Sequence, residues 1–130
     1  MRPGQELPPL VRRVEREDFA AYAEASGDRN ALHLDDAFAR SVGFPSVIGH
    51  GMLTLGHLGA ALRGWIEDGE VLALRAQFRS PVLPGDTIVA RGTVREVTGE
   101  VATLDVWVEV ERDGTIEQPV RRGEAEVRLA

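Results

Sequence analysis

The sequence predicts a single α+β domain in which an antiparallel sheet wraps around one helix. The first half of the chain carries apolar residues at helical spacing, whereas apolar and polar residues alternate with a period of two through most of the second half. Turn signals separate the alternating runs, which is typical of antiparallel strands joined by short connections. At 130 residues the chain has the length of one domain and can bury a substantial core.

Three helices are predicted in the first half of the chain. The first has apolar or small residues at positions i, i+3, i+4 and i+7 and ends at Gly27. The second covers 37–42, with Asp35 or Asp36 as its N-cap. The third covers 51–66, and small residues recur along it at helical spacing (Gly56, Gly59, Ala60 and Gly64). Glycine inside a helix costs about 0.5–1 kcal/mol relative to alanine, so we expect either close packing against a curved sheet or a marginal helix.

Four strands are predicted, and they are expected to follow one another in the sheet as an antiparallel meander. Their approximate ranges are 72–78, 88–95, 102–110 and 116–129. A turn at Gly99 separates the second strand from the third, and Asp113-Gly114 is a strong hairpin signal between the third and the fourth. Pro119 and Gly123 predict irregularities in the last strand, because proline lacks the N–H group of a ladder and glycine often marks a bulge.

The composition excludes several kinds of chemistry and partner. The chain has no cysteine, which excludes disulfides and thiolate chemistry and is compatible with a reducing cytoplasm. It has no lysine, so a Schiff-base lysine is excluded as well. A formal net charge of −6 argues against nucleic-acid binding. The first residues lack the apolar core of a signal peptide, and 47–66 is too polar for a membrane span, so we expect a cytoplasmic protein.

The segment SGDRNALH, from Ser26 to His33, has two interpretations. It can be a polar loop that ends one helix and caps the next, because Gly-Asp and Asn are common turn and cap residues. It can also hold an acid–base pair, because a carboxylate and an imidazole that share a water can move a proton near neutral pH. No set of histidines and carboxylates has convincing zinc-ligand spacing, so no metal site is predicted.

Three segments carry a family resemblance: SGDRNALHLDDAFA, IGHGMLTLG and FRSPVLPGD. With them the chain resembles the MaoC-like hydratases and dehydratases, in particular the (R)-specific enoyl-CoA hydratases. This resemblance implies a single hotdog domain over residues 1–130, with the central helix starting at IGHGMLTLG. Ala31 is a departure, since the family usually has proline there, and its loss removes a restriction on the backbone of Asn30.

The resemblance implies hydration of trans-2-enoyl thioesters to (R)-3-hydroxyacyl thioesters, or the reverse dehydration, without a cofactor. Asp28 and His33 are then the catalytic dyad, and Asn30 supports their loop or contacts them. The N–H group of Gly51, at the start of the central helix, is the predicted oxyanion donor, because free N–H groups there favour an anion. His50 is either a second acid–base group or a residue that holds the loop before the helix.

Substrate carrier and partner are less defined. Arg79 and the outward arginines of the neighbouring strands (Arg75, Arg91 and Arg95) can contact the phosphates of coenzyme A or an acidic acyl carrier protein, or they form an ordinary solvated face. His57 is expected to be a packing or surface residue, and Trp107 is a candidate for a subunit interface. The resemblance implies at least a dimer: a homodimer, or a catalytic subunit paired with another hotdog subunit in acyl carrier protein dehydration.

Two other classes of function compete with the hydratase interpretation. A hotdog thioesterase usually has a carboxylate on or near the central helix, whereas the segment from Met52 to Trp65 contains neither Asp nor Glu. A non-catalytic acyl-binding subunit typically lacks the Asp or the His of the octapeptide, and both are present here. The sequence therefore favours a lyase over both alternatives.

Overall fold

In the computed structural model, which describes residues 1–130, five strands and four helices follow one another along the chain. The strands are β1 (Leu10–Arg13), β2 (Glu70–Phe78), β3 (Thr87–Thr98), β4 (Val101–Arg112) and β5 (Thr115–Arg128). The helices are α1 (Arg16–Ser26), α2 (Ala31–Leu34), α3 (Asp36–Ser41) and α4 (Gly51–Ile66). The four long strands and the helices α1, α3 and α4 are confirmed, whereas β1 and α2 have no counterpart among the predicted elements. No helix combines the length and the apolar character that crossing a bilayer requires.

All five strands form one antiparallel sheet in the order β1-β3-β4-β5-β2. The predicted meander holds for β3, β4 and β5, but it is wrong for β2, which pairs with β5 and not with β3. The residues 79–86 join β2 to β3, and at about 3.3 Å per extended residue they can pass the two strands that lie between. The turn signals alone carry no information on which edge of the sheet receives β2.

Burial confirms the predicted alternation in β3 and β4 and the wrapping of the sheet around α4, whereas in β2 the residues predicted to face inward include the exposed Leu72 and Phe78. The inward residues of β4, from Ala102 to Val110, are at most 1% exposed. They join one apolar cluster with the inward face of α4, where Leu58 and Leu62 are fully buried. Each such leucine contributes roughly 1.5–3 kcal/mol by leaving water. The helix is therefore held by its large side chains, and its N-terminal end is fixed relative to the sheet.

The interior glycines of α4 do not pack against the sheet, so the prediction of close packing at these glycines is wrong. A Cβ atom built on Gly56, Gly59 or Gly64 would meet no other atom within 4 Å. Leucine and isoleucine occupy the sheet-facing side because they bury more apolar area, which leaves the small residues on the opposite side. That side is instead crossed by the segment before β1, where the Trp65 indole donates to the carbonyl of Pro8 at 2.7 Å.

The irregularities predicted for the last strand are confirmed. The register between β4 and β5 shifts between the pairs Val106–Gly123 and Val108–Val120, so that Arg121 and Arg122 lie opposite one residue of β4, as in a β-bulge. Arg122 has a φ of 50°, and a Cβ on Gly123 would lie 2.2 Å from the carbonyl oxygen of Val106. The hairpin at Asp113-Gly114 is also confirmed: both residues have positive φ (51° and 79°), as a type I′ turn requires.

Candidate active site

The loop that carries Asp28 begins where α1 ends. Gly27 adopts a left-handed conformation with a φ of 79°, and its N–H donates to the carbonyl of Ala23, which closes the helix. The Asp28 N–H then donates to the Ser26 hydroxyl at 3.1 Å. These bonds turn the chain sharply, and the Asp28 carboxylate remains about half exposed to solvent.

Asn30 supports the loop and caps the short helix that carries His33. Its side-chain oxygen accepts the Leu32 N–H at 3.0 Å, and its own N–H donates to Asp28 Oδ1 at 3.2 Å. Asn30 thus links the carboxylate to the first turn of α2. These are contacts that a residue supporting the loop would make, and the supporting role of Asn30 stays a prediction.

The structure brings the two residues of the predicted dyad together. His33 Nδ1 lies 2.7 Å from the carbonyl oxygen of Ile48. A carbonyl oxygen only accepts, so Nδ1 carries the hydrogen and the Nε2 lone pair of the neutral ring is free. Nε2 lies 3.9 Å from Asp28 Oδ2, and the His33 side chain is 12% exposed against 54% for Asp28. The separation exceeds a direct hydrogen bond, and one water can contact both groups.

His50 is the third residue of the cluster. It is 2% exposed, its Nε2 lies 2.9 Å from the carbonyl oxygen of Asp28, and its ring stacks on His33 with the centroids 3.8 Å apart. Tyr22 of α1 contacts the same ring edge-on at 4.7 Å. The segment before His50 is fixed by a further hydrogen bond, which the N–H of Val47 donates to the Asp36 carboxylate at 2.9 Å.

Gly51 is the first residue of α4 and lies beside an open pocket, the Gly51 pocket. As the first helical residue, Gly51 has an N–H group with no partner inside the helix. The pocket has a volume of about 250 Å³. Its walls include Ile48, Phe78, Arg79 and Val82. The predicted oxyanion donor therefore lies at a surface cavity with apolar walls and one guanidinium at its rim.

The cluster of Asp28, His33 and His50 resembles a metal-ligand set by distance alone, since their ligand atoms lie within 4.8 Å of one another. The two imidazole rings are stacked at an interplanar angle of 24°. Imidazole lone pairs lie in the ring planes, so stacked rings direct them along nearly parallel planes. They cannot then converge on one ion at the 2.0–2.1 Å that zinc requires, and the arrangement favours proton transfer over metal binding.

Among the four outward arginines, Arg79 has no carboxylate partner. Arg75 bonds to Glu124, and Arg95 to Asp105 and Glu124, in a ladder across the outer face of the sheet. Arg91 pairs with Glu109 at 2.8 Å, and the Trp107 indole donates to that same carboxylate. The solvated-face interpretation therefore fits three of the arginines. Arg79 lines the Gly51 pocket and is the one available to an anionic ligand.

Arg112, at the end of β4, is a residue that the sequence reasoning missed. It donates to Asp86 and Glu117, and to the carbonyl of Pro81 at 2.6 Å. The hydrogen bonds that Arg112 donates to Asp86 raise the pKa of Arg112, and this effect outweighs burial, which lowers it. Asp86 ends the FRSPVLPGD segment, so this ion pair fixes the loop that forms one wall of the Gly51 pocket.

Comparison with known proteins identifies the family. The MaoC like domain family matches residues 2–115. The (R)-hydratase from A. caviae involved in PHA biosynthesis superposes with a TM-score of 0.88 at 31% identity, over 100% of this chain and 98% of that one. The 3-hydroxybutyryl-CoA dehydratase of Methylorubrum extorquens is 33% identical over 113 residues, which is 81% of this chain and 72% of the relative.

A further relative, the 3-hydroxyacyl-thioester dehydratase Y of Mycobacterium tuberculosis, is 43% identical over 77 residues. That match covers 56% of this chain and 27% of the relative, so the chain spans little more than a quarter of that protein's length. The chain belongs to the MaoC-like family of hydratases and dehydratases. Its antiparallel sheet around a central helix is the hotdog fold of the structural relatives, as the sequence predicted.

Proposed function

We propose that the protein catalyses the reversible, (R)-specific addition of water to trans-2-enoyl thioesters, giving (R)-3-hydroxyacyl thioesters. The observation that carries the proposal is the 3.9 Å separation of His33 Nε2 and Asp28 Oδ2, beside the start of α4. Relatives named as a hydratase and as dehydratases support one reaction in its two directions. The absence of cysteine supports a cytoplasmic protein.

The dyad supplies the proton transfers of the reaction. In hydration, water loses a proton as its oxygen bonds to C3, and a proton is delivered to C2 as the C2–C3 double bond is lost. His33 Nε2 and the Asp28 carboxylate bind the water between them, take its proton and return one to C2, so that they end in their starting protonation state. General acid–base assistance of this kind is worth about 10²–10⁴-fold.

The start of α4 supplies the electrostatic stabilisation. As the water oxygen bonds to C3, the electrons of the C2–C3 double bond shift towards the thioester oxygen, which carries negative charge until C2 is protonated. The Gly51 N–H is free to donate to that oxygen, and the partial positive charge of the helix N-terminus adds to the stabilisation. Asn30 and His50 support the dyad. The absence of Asp and Glu from Gly51–Ile66 continues to disfavour thioester hydrolysis.

The carrier of the acyl group is proposed to bind at the rim of the Gly51 pocket. Arg79 is exposed there and has no carboxylate within salt-bridge distance, so we propose that it contacts a phosphate of the carrier. Coenzyme A and the phosphopantetheine of an acyl carrier protein both present a phosphate. Kinetics with Arg79→Gln distinguish the two carriers. A higher KM for crotonyl-CoA alone would assign coenzyme A, and a higher KM for crotonyl-acyl carrier protein alone would assign the carrier protein. An unchanged KM for both would contradict the proposed phosphate contact.

We propose that a second hotdog subunit, a second copy or a related chain, pairs along β2. This strand has nine residues and pairs with β5 on one side only, which leaves its other edge open. Val71 and Phe78 are exposed along it, and Met52 is exposed in the first turn of α4. Phe78 also lines the Gly51 pocket, so a partner at this edge would extend the pocket. If the partner is a second copy, sedimentation of the purified chain should give twice the chain mass, and Val71→Lys should give a monomer. If it is a related chain, the doubled mass should appear only when that chain is present.

The proposed function is tested by hydration of crotonyl-CoA, followed through the loss of the conjugated enoyl absorbance. Wild type is compared with Asp28→Asn and His33→Ala, and with His57→Gln as a matched control. His57 lies on α4 outside the cluster, where its Nε2 contacts the Leu10 carbonyl at 2.9 Å. We expect both dyad variants to lose about 10²-fold or more in kcat while staying folded, and His57→Gln to match wild type.

Two results would contradict the proposal. One is an unchanged kcat in folded Asp28→Asn and His33→Ala. The other is a wild type that hydrates neither short nor long enoyl thioesters, on coenzyme A or acyl carrier protein, with or without a co-purified hotdog partner. The stereochemistry is read separately, by chiral chromatography of the hydrolysed 3-hydroxy acid.

A further inference from the structure

One side chain of the cluster is not used in proton transfer, yet it contacts both dyad residues. His50 is 2% exposed and contacts the backbone of Asp28 through Nε2 and the ring of His33 by stacking. It is also the N-cap residue of α4, so the next N–H along the chain is that of Gly51. Three separate parts of the proposed site are therefore joined through one residue.

The one hydrogen bond of the His50 ring defines its tautomer. Nε2 faces the Asp28 carbonyl oxygen, which only accepts, so Nε2 carries a hydrogen. Nδ1 is buried and has no hydrogen-bond partner. In the neutral ring Nδ1 is an unpaired acceptor, whereas in the charged ring it would be an unpaired N–H donor on a buried cation, which is far more costly. The charged ring would also lie 3.8 Å from His33, whose ring must accept a proton during the reaction.

We propose that His50 is a positioning residue for the dyad, neutral and protonated on Nε2 throughout the reaction; this inference rests on the proposed function. The hydrogen bond to the Asp28 carbonyl holds the loop that carries the carboxylate. The stacked ring limits the tilt of His33, so that Nε2 stays directed at the shared water. The titratable groups that contact His50 are Tyr22 from α1, Asp28 from the loop and His33 from α2.

The two contacts of His50 are not equally replaceable. His33 has a second anchor, its Nδ1–H bond of 2.7 Å to Ile48. The Asp28 loop is otherwise held by local bonds to Ser26 and Asn30, and by an ion pair between Arg29 and Glu24 of α1. Both side chains of that ion pair are exposed, so it contributes little. Losing the Nε2–H bond should therefore disturb the site more than losing the stacked ring.

Two variants separate the contacts. His50→Phe keeps an aromatic ring on His33 and removes the N–H, whereas His50→Gln keeps an amide N–H near the Nε2 position and removes the ring. We expect kcat for crotonyl-CoA to fall roughly 10²-fold in His50→Phe, because displacement of a reacting group by about 1 Å has that effect. His50→Gln should lose no more than about tenfold. KM and the pH profile of kcat should stay those of wild type in both, and His57→Phe and His57→Gln serve as matched controls.

The outcomes separate the roles. An acid–base role for His50 would lower both variants to the level of His33→Ala and remove a limb of the pH profile, which overturns the inference. A purely structural role would lower the melting temperature and leave kcat per folded molecule unchanged, which also overturns it. Failure of the proposed function shows instead in Asp28→Asn and His33→Ala. Long-range ¹H–¹⁵N spectra of the wild-type imidazoles give a readout without activity: a His50 ring protonated on both nitrogens at neutral pH contradicts the inference.

Discussion

Replacing Gly51 by proline removes the proposed oxyanion donor while respecting the fold. Gly51 is the first residue of α4, the helical position at which proline is most common, because its missing N–H has no partner in the helix anyway. The preceding residue, His50, has φ −64° and ψ 132°, the extended conformation that a following proline requires. We therefore expect Gly51→Pro to fold with a stability close to that of wild type.

The added ring carbon is controlled by a matched variant. A Cβ on Gly51 would lie 3.2 Å from two ring carbons of Phe78, which is closer than ordinary contact. Phe78 is 54% exposed, so its ring can move away by the few tenths of an ångström required. Gly51→Ala introduces the same Cβ and keeps the N–H. The difference between the proline and the alanine variant is then mainly the loss of one donor.

The expected magnitude follows from the role of the N–H group. Losing one oxyanion donor typically lowers kcat by about 10²–10³-fold, or about 2.7–4 kcal/mol of transition-state stabilisation. The assay is hydration of crotonyl-CoA at saturating substrate, with circular dichroism and urea unfolding as checks of the fold. Equal activity of folded Gly51→Pro and Gly51→Ala would refute the assignment. Equal loss in both would place the effect on the Cβ, not on the N–H.

Three further predictions concern residues that hold the pocket loop or the sheet. Arg112→Ala should raise KM for crotonyl-CoA and lower the free energy of unfolding, because it leaves the part-buried Asp86 without its partner and frees the pocket loop. Arg112→Lys should restore KM and stability only in part, because lysine lacks the forked donors of the guanidinium. Gly123→Ala should destabilise by several kcal/mol in urea unfolding, because the added Cβ meets a backbone carbonyl. The pKa of Glu109 is raised by burial but more strongly lowered by the indole of Trp107 and the guanidinium of Arg91. This carboxylate therefore stabilises the fold above its unfolded pKa of about 4.3 and loses that contribution as pH falls further, so Glu109→Gln should cost stability at pH 7 and less at pH 3.

The strands and the outline of the helices could be predicted because their signals are local. Alternation along β3 and β4 reports the two faces of each strand, and Asp113-Gly114 requires the positive φ angles that the structure has. The order of strands depends on long-range pairing, and β2 is misplaced for that reason. Either the apolar face or the glycine face of α4 could have packed against the sheet, and the spacing of the glycines alone does not predict which one does.

The site, too, has a part that local sequence signals predict and a part that depends on long-range contacts. The octapeptide places Asp28 and His33 at a spacing that the family resemblance identifies, and the structure brings them within reach of one water. The stacking of His50 on His33 could not be predicted, because it joins residues 17 positions apart through the fold of the segment between them, which contains α3. The same holds for Arg112 at the end of β4, whose partner Asp86 lies in the connection between β2 and β3. A part-buried arginine at a strand end carries no local sequence signal.

The contrast between the three histidines shows why residue type alone does not assign a catalytic role. His33, His50 and His57 each place one ring nitrogen against a backbone carbonyl oxygen, at 2.7 to 2.9 Å. In His33 the bonded nitrogen is Nδ1, which leaves Nε2, at the tip of the ring, directed at Asp28. In His50 the bonded nitrogen is Nε2, which leaves only Nδ1, a buried atom with no hydrogen-bond partner in the protein. His57 lies on the side of α4 that the segment before β1 crosses. The carbonyl that each ring meets therefore determines which histidine can accept a proton from water, and only His33 combines a free Nε2 with a neighbouring carboxylate.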